Sequence, residues 1–103
     1  MDNIVATVGA RLRAARLRAG LTVRAAAQQV GVDHTALVRY ESGTTQPTLE
    51  RLAALARLYG TTPAALLASS EAAAALIALF DTADAEQLSH LRVLVDALRD
   101  QQE

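Results

Sequence analysis

Apolar residues recur at helical spacing along almost the whole chain, and no segment alternates convincingly with a period of two. Ile4, Val8, Leu12 and Ala15 share one face of a helix predicted over residues 3–19, with Gly20 as its stop. Thr22 is a good N-cap for a second helix over 23–30. Gly31 turns the chain, Asp33 caps a third helix over 34–41, and Gly43 ends it. After the loop 44–47, Thr48 caps a fourth helix that runs to Tyr59 and stops at Gly60. Thr62 and Pro63 open a short fifth helix, because proline suits the first helical position. Ser69 and Ser70 mark the only seam. Beyond it, one helical pattern covers 71–80 and another 84–100, divided by Asp81-Thr82-Ala83-Asp84. Asp84 and Gln87 have capping-box spacing. The expected fold is all-α: a five-helix bundle over residues 1–68, then a C-terminal two-helix hairpin over 69–103.

Residues 22–42, TVRAAAQQVGVDHTALVRYES, hold a tighter pattern. Ala27 is small where two helices must nearly touch, and Gly31, four residues on, suits a turn of positive φ. Leu37 lies six residues further and points into the angle between the helices, with Ala26, Val30, Val32 and Tyr40 lining it. This segment resembles the xenobiotic-response-element family of helix-turn-helix regulators, the group of Cro and the lambda-type phage repressors. The likeness runs from about Ile4 to Leu67 and includes the RLRAARLRAGLT approach, the YESG close of the third helix and the QPTLERLAALARLYG helix. It implies a lambda-repressor-like bundle that binds double-stranded DNA.

Leu37 and Tyr40 are three residues apart and face inward in this scheme, which turns His34, Thr35, Val38 and Arg39 outward. Arg39 can grip guanine O6 and N7 with two hydrogen bonds, His34 can donate to a purine or a phosphate, and Thr35 offers a hydroxyl and a methyl. The resemblance points to the same three residues, His34, Thr35 and Arg39, as base readers. For Val38 a plainly exposed valine is the better reading. Contacts to the DNA backbone are expected from Thr22, Arg24, Thr44, Thr45 and Gln46, with Arg11 and Arg13 as helpers. Two departures from the family stand out: Val23 replaces a phosphate-holding Gln, and the loop after the third helix carries no Lys or Arg. Arg16 and Glu41 align with a family ion pair that ties the first helix to the end of the third.

Composition sharpens the picture in three ways. Net charge is −1, yet residues 1–59 hold eight Arg against four acids while residues 60–103 hold two Arg against seven. A basic unit followed by an acidic one suggests two jobs. Cysteine is absent, which rules out disulfide and thiol chemistry. No uncharged apolar run approaches 18 residues, so membrane spanning and secretion are not expected, and a cytoplasmic, nucleoid-associated location is. His34 and His90 lie on different elements, and no HExxH, Gly-rich phosphate loop or nucleophile elbow appears. No enzyme activity, cofactor or metal is therefore expected, and the 36 residues after Leu67 are too few for an effector domain.

The tail carries Leu88, Leu91, Val95 and Leu98 at 3-4-3 spacing, with Leu94 widening the stripe and Leu76, Ile77, Leu79 and Phe80 on the preceding helix. So small a hairpin must cover this surface on the core or on a copy of itself. Leu76, Phe80, Leu88, Leu91, Val95 and Leu98 are expected to dimerise the chain. The favoured function is a homodimeric transcriptional repressor on an inverted repeat. Two alternatives stay open: an antitoxin whose tail holds a toxin, and a protein-interaction module with weakened DNA binding.

Overall fold

A side-chain oxygen closes the start of six of the seven helices in the computed structural model, which describes residues 3–102. Asn3 accepts from the Ala6 amide at the head of α1 (Ile4–Arg18), and Thr22 from Ala25 at the head of α2 (Val23–Val30). Thr48, Thr62 and Ser70 do the same for α4 (Leu49–Tyr59), α5 (Pro63–Leu67) and α6 (Glu71–Thr82). Before α7 (Ala85–Gln102) the capping box closes in both directions: Asp84 Oδ1 accepts from the Gln87 amide at 2.8 Å, and the Asp84 amide donates to Gln87 Oε1 at 3.0 Å. Each cap satisfies amides that a helix leaves unpaired in its first turn.

The exception is α3 (His34–Ser42): Asp33 has extended N-cap geometry, but its carboxylate makes no capping bond. Three helices also run past their predicted ends, α7 by continuing to Gln102. The α3 helix continues to Ser42, whose hydroxyl donates to the Arg39 carbonyl. The α6 helix reaches Thr82, whose hydroxyl donates to the Ala78 carbonyl at 2.9 Å. The break before α7 is therefore only Ala83 and Asp84. Among the described residues there is no strand, and no helix is long and apolar enough to cross a membrane.

Helices α1 to α5 enclose one core, with Leu12, Leu37 and Leu55 fully buried and Ala26, Ala27, Ala56 and Tyr40 packed around them. Gly31 closes α2 at φ 79°, a left-handed conformation that glycine adopts without a Cβ penalty. Val23 and Val30 pack against the core, which accounts for an apolar side chain at the second residue of the helix-turn-helix. The closest approach is between α1 and α3. A Cβ on Gly9 would overlap the Tyr40 carbonyl and sit 2.8 Å from the Glu41 carbonyl. At the same crossing a Cβ on Gly43 would lie 2.9 Å from Ala6 Cα.

Beyond α5 the packing thins. The α6 helix lies against α5, but α7 packs extensively against no other described helix. Of residues 85–101 all but the half-buried Leu91 are exposed. Leu76, Leu79, Leu88, Val95 and Leu98 are exposed as well, so the tail's apolar stripe finds no cover within the chain.

The glycine contacts give a graded expectation. Gly9→Ala should destabilise the fold by about 1–3 kcal/mol through overlap with rigid backbone. Gly20→Ala, where a Cβ meets nothing within 4 Å but φ is 73°, should cost only about 1 kcal/mol. Urea unfolding of the two variants measures the difference, and equal losses would show that the α1–α3 crossing has room to relax.

Candidate nucleic-acid interface

Orientation of α3 decides which of its side chains meet solvent. Leu37 is fully buried and Tyr40 is 5% exposed, and they anchor the inner face. The Tyr40 hydroxyl accepts from Arg51 Nη1 at 2.6 Å, so α4 fixes the ring from behind. With that face sealed, His34, Thr35, Val38 and Arg39 all lie exposed on the other side. His34 and Val38, like Thr35 and Arg39, stand one turn apart and form a continuous strip. The strip bears a cation, an imidazole, a hydroxyl and two apolar groups. Such a set matches the donors, acceptors and thymine methyls of a major groove.

The backbone candidates differ in what their polar atoms already do. Thr22 is exposed and its oxygen accepts from the Ala25 amide at 3.1 Å, which leaves the hydroxyl proton for a phosphate. Arg24 is exposed beside it. Thr44 Oγ1 lies 2.8 Å from Ser42 Oγ, and because Ser42 donates to Arg39, Thr44 is the donor of that pair. Its hydroxyl must leave Ser42 before it can hold a phosphate. Thr45 and Gln46 are exposed in the same loop. The α3 amino terminus has no side-chain cap, so its first-turn amides lack the partner that the other helices have.

Arg11 corrects the sequence reading. Rather than helping with phosphate, it turns inward: Nη1 donates to the Leu66 carbonyl at 3.1 Å and the Ala68 carbonyl at 2.6 Å, and Nε pairs with Glu71 at 2.9 Å. The short α5 ends with unpaired carbonyls, and a guanidinium one helix away satisfies several of them together. Arg13 is exposed.

Arg16 and Glu41 set the pitch of α3 against α1. Arg16 Nε donates to Glu41 Oε2 at 2.7 Å and Nη2 to Oε1 at 3.0 Å, a fork-on-fork pair with both side chains under 10% exposed. Nη1 donates to the Leu21 carbonyl at 2.8 Å, which ties in the loop before α2. The hydrogen bond that Arg16 donates to Glu41 raises the Arg16 pKa, against the downward pull of burial, so the guanidinium stays charged. Tyr59 lies near this pair and its hydroxyl has no hydrogen-bond partner among the described residues. Burial pushes its pKa up to about 12, with the Glu41 charge adding to the rise and Arg16 opposing it. Among the described residues no three His, Asp or Glu side chains gather where they would hold a metal ion.

Residues 7–69, more than half of the chain, match the profile of a family described as a helix-turn-helix domain. No curated protein and no solved structure matches the chain.

Two outcomes follow. Glu41→Ala strands a buried guanidinium and should cost roughly 3–5 kcal/mol in urea unfolding, whereas replacing both partners by apolar residues of similar volume should restore much of the loss. A small effect of Glu41→Ala alone would mean that the pair is more hydrated than its burial implies. Tyr59 binds its proton more tightly when folded, so its contribution to stability is complete below pH 10 and lost as pH rises through about 12. Tyr59→Phe should flatten that alkaline decline and leave stability at pH 7 unchanged or higher. An identical decline in the variant would assign it to other groups.

Proposed function

The chain belongs to the helix-turn-helix domain family, and from that premise we propose that it is a sequence-specific transcriptional regulator of the Cro and lambda-type phage repressor kind. In this reading residues 1–68 are the DNA-binding domain and residues 69–103 the dimerisation element. The homodimer acts as a repressor by occupying an inverted repeat whose half-sites are centred about one helical turn, ~34 Å, apart. The observation that carries the reading is the strip on α3: the residues facing away from the core are those whose chemistry suits base edges. Arg39 reads a guanine, Thr35 a thymine methyl or an adjacent base edge, and His34 a purine acceptor. Thr22, Arg24, Thr45 and Gln46, with Thr44 once released, hold the sugar–phosphate chain on either side.

Few of these backbone contacts are cationic. Orientation then depends on neutral donors and helix amino termini, which bind phosphate without the full counterion release that a row of lysines brings. The exposed tail supports a second reading, an antitoxin whose α6 and α7 hold a toxin, since the same apolar stripe would serve a different partner.

Selecting bound duplexes from a random pool tests the proposal. A palindromic motif should emerge. On that site Arg39→Ala should lose about 1–3 kcal/mol and relax one base position per half-site. The log–log salt slope for the dimer should be shallower than about −6, reflecting few charged phosphate contacts. An absence of any enriched motif at low salt would favour an interaction module, and a steeper slope would show that cations not assigned here reach the DNA.

A further inference from the structure

The stripe on α7 carries information about how two copies would meet, and we propose that they pair in parallel, with both α7 helices side by side and pointing the same way. This rests on the homodimer reading above and deepens it. Counted in heptads, Leu88 and Val95 take the first core position and Leu91 and Leu98 the second. Val95 is β-branched with leucine at both second positions, the combination that gives a parallel coiled coil two strands rather than more, while Leu88 does not share it.

The orientation rests on the flanks of the stripe. Arg92 and Arg99 both follow the second core position, on one flank. Gln87, Leu94 and Gln101 precede the first, on the other flank, and none is charged. An antiparallel pair sets like flank against like, bringing Arg92 onto the second copy's Arg92. A parallel pair sets unlike flanks together. Arg92 then lies across from the second copy's Gln87 and Arg99 from its Leu94, which is 61% exposed in the isolated chain and is covered by the arginine's alkyl stem. Glu86, Asp96 and Asp100 fall on outward positions in either case, so the acids do not decide the orientation.

Size brings in α6. Four core positions per chain fall well short of the roughly 20–30 residues a side of an ordinary stable interface. Leu76 and Leu79 are exposed, three residues apart on one face of α6, and offer further apolar surface to a second copy. Parallel pairing also leaves both helix-turn-helix units at the same end of the tail.

The absence of native cysteine makes the test clean. The full chain is prepared as Leu88→Cys and as Leu98→Cys, mildly oxidised singly and as a mixture, with sedimentation equilibrium on the wild type. In a parallel dimer each variant cross-links to itself, because identical core positions face each other. In an antiparallel dimer position 98 faces position 88 and lies about 15 Å from its own copy, out of disulfide reach, so only the mixture cross-links. Should either substitution dissociate the pair, a nitroxide on Gln101→Cys, off the core, decides. The two labels stay within about 20 Å in a parallel pair, whereas an antiparallel one offsets their attachment points by about 24 Å along the axis alone. A dimer that cross-links only as the mixture, or whose labels lie far apart, overturns the parallel orientation and leaves the homodimer intact. A monomeric wild type overturns the homodimer itself.

Discussion

The crossing of α1 over α3 is the constraint on which the rest depends. Backbone meets backbone there, since Gly9 and Gly43 leave no room for a Cβ, and the Arg16–Glu41 pair locks the angle of the contact a turn or two further along. A Cβ at either glycine would force α3 away from α1 and strain the Arg16–Glu41 fork. Because Leu37 and Tyr40 are pinned inside, the outward strip of α3 is held by packing and not by loops. A reading surface needs that rigidity, since base discrimination is lost when donors wander from the edges they address.

Much of this architecture was legible because its signals are local. N-cap residues, Pro63 and the left-handed glycines act on their immediate neighbours, so the helices 23–30 and those capped by Thr48 and Thr62 could be placed from type and spacing alone. What escaped depends on distant partners. Arg11 looks like any exposed arginine on a basic helix until α5 arrives with unpaired carbonyls. Asp33 has the type and place of a cap, yet side-chain geometry leaves it unused. The bond from Arg51 to Tyr40 gave no sequence signal. Gly9 did give one: a glycine inside an otherwise regular helix is unfavourable by about 1 kcal/mol unless something needs the space.

The exposed strip on α3 was legible by elimination, since once Leu37 and Tyr40 face inward, helical geometry leaves no other place for His34, Thr35 and Arg39. The state of each polar group was not. Thr44 and Thr22 have the same side chain, but one hydroxyl proton is held by Ser42 and the other is free, a difference created by a loop turning back on α3. Charge separates along the chain in the same sense as packing. The Arg-rich part forms the enclosed bundle, and the acidic part is the thinly packed tail, so the two surfaces are suited to different partners.

The most direct test of this account is an amide NMR titration of the full chain with a duplex selected from a random pool. The account predicts that the largest shifts fall on His34, Thr35 and Arg39 of α3, on the amide-rich starts of α2 and α3, and on the loop 44–46, while α5 and α6 stay unmoved. Shifts concentrated on α6 and α7, with the α3 strip unchanged, would contradict it.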